Sequence, residues 1–156
     1  MREMDRRLGL LRLLLADLTA RRQQTEALRD QLHGQIGRLV EFTVRQNGAV
    51  GNALAAMADV DERLTRAEAD LRHLELLRRR AQEELDALVV TRGVADARAR
   101  LEELERRRSD LLAATETPPS GALTEIKAEM AELRAAIDDA SAAAARALTE
   151  GRGRPG

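Results

Sequence analysis

The residues able to do chemistry are few in this chain of 156 residues. Its two histidines, His33 and His73, stand far apart in sequence, and neither has a second ligand at metal spacing. His73 has Asp70 and Glu75 nearby, but neighbouring charges are the ordinary background of a charged helix. Both histidines read as solvated or seam-edge residues. Glu83-Glu84 and Asp138-Asp139 are acidic pairs adjacent in the chain. Adjacent helical residues point about 100° apart, so neither pair forms the facing carboxylates that acid–base catalysis needs. There is no glycine-rich phosphate loop, no nucleophile elbow and no HExxH. With no cysteine, thiolate chemistry, disulfides and Cys-ligated zinc are excluded. Enzyme activity is not expected, and the sequence calls for no metal or cofactor.

The sharpest charge features are the triplets Arg78-Arg79-Arg80 and Arg106-Arg107-Arg108. Such clusters can contact phosphate or an acidic partner. Each is balanced locally, by Glu75, Glu83 and Glu84 in one case and by Glu102, Glu103 and Glu105 in the other. No aromatic residues are interleaved to stack bases. A solvated, self-compensated face is the simpler reading, and nucleic acid is not an expected partner. Arg78 and Arg108 fall in or near apolar seams, where an arginine sets register against an acidic residue.

The other conspicuous stretch is RRLGLLRLLLADL, Arg6 to Leu18, in which seven of thirteen residues are leucine. Leu8, Leu11, Leu15 and Leu18 recur at helical spacing and fill one seam. Leu10, Leu13 and Leu14 lie outside it. A two-stranded packing cannot bury both sets, and burying one leucine is worth roughly 1.5–3 kcal/mol. This end of the helix is therefore expected to be enclosed on two sides. The cover is either a later helix of the same chain, a second copy, another protein, or a membrane surface. Arg2, Arg6, Arg7 and Arg12 favour a peripheral membrane anchor in residues 1–18, whereas Asp5, Asp17 and the lack of a bulky aromatic oppose it.

Composition fits long helices. Ala, Glu, Lys, Leu and Arg make up 95 of the 156 residues, and Phe42 is the one aromatic. This is the profile of coiled coils, and it suits thin helix–helix seams better than a thick globular core. Formal net charge is −1, so no net field points to a polyanion. No signal peptide is expected, because the basic start carries Glu3 and Asp5 and the apolar run is broken by Arg12. No run of eighteen apolar residues exists, and a cytoplasmic location is the default expectation.

Periodicity places the elements. From Met4 the seam runs through Leu8, Leu11, Leu15 and Leu18, lapses at Arg22, Thr25 and Arg29, and resumes at Leu32, Ile36 and Leu39. Gly34 and Gly37 weaken this first helix locally. Asn47-Gly48 in the segment 46–52 is turn chemistry, with a new helix starting near Gly51. The second helix has the fullest seam: Ala53, Met57, Val60, Leu64, Ala67, Leu71, Leu74, Ala81, Leu85 and Leu88, with Arg78 in the missing slot. Asp59–Arg63, Glu62–Arg66, Glu68–Arg72 and Glu75–Arg79 are candidate i,i+4 pairs on its flanks. A weaker break is expected near 91–95, where Val89, Val90 and Thr91 precede Gly93. Val94, Ala97, Leu101, Leu104 and Leu111 then form another stripe. Thr115–Gly121, with Pro118-Pro119, is a linker, because a proline disfavours helix before it. Leu123, Ile126, Met130, Leu133, Ile137, Ala140, Ala144 and Ala147 mark an amphipathic helix over 122–149, and 150–156 reads as a disordered basic tail.

The segment Val44–Leu54, followed by the coil from Val60, resembles the linker and stalk that precede catalytic domains in some bacterial glycosyltransferases and methyltransferases of surface-polysaccharide clusters. The resemblance covers under a tenth of the chain, and no catalytic domain follows. It implies a free-standing oligomerisation or docking module.

The expectation is thus an all-α protein. An elongated helical hairpin or coiled coil of long amphipathic helices over 1–114 is followed by a shorter C-terminal helix. Its expected role is self-assembly, or docking onto another protein, through Leu8, Leu10, Leu11, Leu13, Leu14, Leu15 and Leu18, with Leu71, Leu74 and Leu85 in the main seam.

Overall fold

The computed structural model describes residues 2–45, 50–114 and 120–152. All of these are helical: α1 (Arg2–Arg45), α2 (Val50–Ala114) and α3 (Ser120–Arg152). The protein is all-α. The expected turn at Gln46–Ala49, the linker at Thr115–Pro119 and the tail residues Gly153–Gly156 lie outside the described residues. Glu3 and Asp5 in the first turn of α1 and Arg45 in its last turn complement the helix dipole.

The chain forms two compact units, 1–86 and 87–156. In the first, α1 packs against α2 in antiparallel fashion. Leu32 packs with Val60, Leu64 and Ala67, flanked by Ile36 and Leu39. Towards the start of α1, Arg22 meets Glu75. The seam read from the sequence is the row that packs. Leu8, Leu18, Ala53, Val60, Leu64, Ala67 and Ala81 are buried, and Leu11, Leu15, Leu71, Leu74 and Leu85 are half-buried. In the second unit, Leu104 packs with Ile126 and Met130, flanked by Leu111 and Leu133. Arg100 donates to Glu129 at 2.8 Å and Arg134 to Glu105 at 3.1 Å, bracketing this core with charge pairs. The two helices also line an apolar groove of about 320 Å³ between Val90, Gly93, Val94 and Ala97 on α2 and Ala136, Ile137 and Ala140 on α3. The small side chains on both walls leave this part of the seam thin.

Three sequence expectations change. First, α2 runs unbroken through the expected break near 91–95. The β-branched residues there cost only tenths of a kcal/mol each, and glycine about one. A local pair offsets part of this: Arg92 pairs with Asp96 across Gly93 at 3.6 Å. Val94 and Ala97 are half-buried, so packing adds the rest. Second, α3 begins at Ser120 and continues to Arg152, past both expected ends. Third, Arg108 is exposed and takes no part in the seam.

Gly34 and Gly37 have open space where a side chain would begin, so neither serves a close helix approach in this chain. Glycine inside a helix costs roughly 0.5–1 kcal/mol relative to alanine. Gly34→Ala and Gly37→Ala are each expected to stabilise the fold by that amount, read as a higher urea midpoint in circular dichroism.

Candidate interaction surface

The polar lapse in the α1 seam is resolved by charge pairing. Arg22 is half-buried; it donates to Glu26 at 3.0 Å and lies 3.4 Å from Glu75 on α2. Glu75 also accepts from Arg78 at 3.1 Å. Glu75 therefore joins the arginine of the α1 lapse to the arginine in the missing α2 slot. The hydrogen bond from Arg78 holds the Glu75 carboxyl below its ordinary range; partial desolvation opposes this, and the charges of Arg78 and Arg22 reinforce it. Thr25 Oγ1 donates to the Arg21 carbonyl at 2.9 Å, and Arg29 pairs with Asp30 at 2.8 Å. A shared carboxylate between two arginines selects one pairing register, because a one-turn slip would move Arg22 from Glu75 to Leu71 and Arg72 on one side or to Arg78 and Arg79 on the other.

The leucines outside the seam are the main feature of this unit. Leu10, Leu13 and Leu14 are 57%, 69% and 45% exposed. The first unit does not itself supply the enclosure on two sides expected from the sequence; the buried residues of α3 pack on Leu104 within the second unit. The seven leucines at the start of α1 that the sequence suggests for an interface thus divide. Leu8 and Leu18 are buried, Leu11 and Leu15 are half-buried, and Leu10, Leu13 and Leu14 face out. Leu71, Leu74 and Leu85 are half-buried in α2.

Beside these leucines, Leu11, Leu14 and Leu18 of α1 and Leu77, Arg80, Ala81 and Glu84 of α2 line a groove of about 210 Å³. Its lining is apolar apart from Arg80 and Glu84, which stand one helical turn apart on α2. The contribution of Leu77, Arg80 and Glu84 was not apparent from the seam pattern. The available signal was Leu77 beside the missing slot at Arg78. A second set of exposed apolar residues, Val40, Phe42, Val44, Val50 and Leu54, flanks the end of α1 and the start of α2.

Of the two arginine triplets, Arg78 and Arg79 make local charge pairs among the described residues. Arg78 bonds Glu75, Arg79 donates to Glu83 at 3.2 Å, and Arg80 lies on the groove. Arg106 donates to the Glu102 carbonyl at 3.4 Å, while Arg107 and Arg108 are exposed. Of the four candidate i,i+4 pairs, Glu62–Arg66 forms. Glu75 turns to Arg78 and Arg22 instead of Arg79. His33, His73, Asp138 and Asp139 are exposed, and no group of three metal-ligating side chains occurs among the described residues. No described helix is long and apolar enough to cross a membrane. Comparison with known protein families, curated proteins and solved structures finds no match for this chain.

Proposed function

We propose that this is a non-enzymatic coiled-coil protein that works by association. It joins copies of itself, or docks onto a larger protein assembly, through the leucine-rich start of α1. One observation carries the reading: Leu10, Leu13 and Leu14 stay exposed although a different row of α1, including Leu8, Leu18 and Leu32, is already buried. Clustered exposed leucines are costly to hydrate, and such patches mark association surfaces. The mechanism is burial of this patch by another helical surface, with the flanking charges selecting partner and register.

The test compares the wild-type chain with a Leu10, Leu13, Leu14→Ser variant by size-exclusion chromatography with multi-angle light scattering across concentrations. Anionic vesicles are added in a parallel arm. The expected result is a wild-type mass above that of one chain and a folded, monomeric variant. Exposed sites contribute little to the monomer fold, so the helix content of the variant should match wild type. One-chain masses for both proteins, with the wild type alone co-sedimenting with vesicles, would move the patch from protein association to a membrane surface. One-chain masses without vesicle binding would remove self-assembly and leave only docking on a different protein.

A further inference from the structure

We infer that the cover of this groove is a second copy of the same chain, related by a two-fold axis that crosses α1 and α2 at the level of Leu14. This rests on the association reading above and specifies its partner.

Arg22 meets Glu75 and Leu32 packs among Val60, Leu64 and Ala67, so facing residues in the first hairpin have numbers that add to roughly 96. Leu14 is therefore level with about residue 82, midway between Arg80 and Glu84. Both charged residues line the groove and are exposed, and neither forms an ion pair among the described residues. An isologous interface requires a surface complementary to itself. This one meets the requirement. A second hairpin laid antiparallel on the groove about that axis sets Leu14 against Leu14 of the second copy. The same operation sets Arg80 against Glu84 of the second copy, and Glu84 against its Arg80. The two charges left unpaired in one chain are thereby paired twice, around a centre of Leu14. A partner of one charge sign would satisfy Arg80 or Glu84 but repel the other.

The test measures the self-dissociation constant by sedimentation equilibrium at low salt. It uses wild type, Arg80→Glu, Glu84→Arg and the double exchange, each with matched helix content. Each single change faces like charges at two symmetry-related places and should weaken assembly about tenfold. The double exchange restores opposite charges and should return to within about threefold of wild type. Single variants that assemble like wild type, a double variant as weak as the singles, or a monomeric wild type would overturn the two-fold pairing. If serine at Leu10, Leu13 and Leu14 dissolves an assembly that the charge variants leave intact, the leucine reading stands and this symmetry fails.

Discussion

Leu32→Ala is expected to destabilise the protein by about 2–5 kcal/mol, the range for removing a buried leucine side chain and leaving a partly collapsed cavity. Leu32 is 1% exposed and is surrounded by Val60, Leu64 and Ala67, with Ile36 and Leu39 packed beside them. The hairpin is two helices thick, so few neighbours can move in to fill the space. Leu13, at 69% exposure, supplies the contrast: Leu13→Ala should shift monomer stability by no more than about 0.5 kcal/mol. Urea denaturation at one low protein concentration measures both, since association would otherwise add to the apparent stability. A loss below about 1 kcal/mol for Leu32→Ala would mean that α1 does not rest on Val60, Leu64 and Ala67 in solution.

Gly93→Pro should be at least as damaging, costing about 3 kcal/mol or more. Proline lacks the amide hydrogen that position 93 donates within α2, and its ring collides with the carbonyl one turn earlier. The penalty applies only if the helix is continuous there, as it is in α2. Gly93→Ala should move stability the other way, by roughly 0.5–1 kcal/mol, because nothing lies within 4 Å of the added carbon. Opposite signs for the two substitutions identify a continuous helix. Tolerance of proline, with little change in helix content, would mark a break at this position.

The helices and their buried faces were legible in the sequence because helix packing writes a period of three to four residues along the chain. Val60, Leu64 and Ala67, and likewise Ile126 and Met130, are buried where that period puts them. The same period placed Leu10, Leu13 and Leu14 outside the seam. It did not show what covers them, since a local pattern carries no information about a distant element. The groove illustrates the limit. Leu14 and Leu77 come together only through the pairing register of α1 with α2, which depends on contacts such as Arg22 with Glu75. The i,i+4 spacing pairs Glu75 with Arg79, yet the seam draws it to Arg22 and Arg78 instead. At Gly93 local propensity argued for a break, and packing together with the Arg92–Asp96 pair carried the helix through.

On the proposed function, Leu14 is open in a single chain and closed by association. Thiol labelling of a Leu14→Cys variant distinguishes the two states, because the sequence has no cysteine of its own. Labelling near the free-thiol rate is expected in dilute solution, slowing as concentration rises, with Leu32→Cys slow throughout. Slow labelling of Leu14→Cys at every dilution would place the leucine inside its own chain and rule out the exposed patch. A fast rate that does not change with concentration would contradict cover by a second copy.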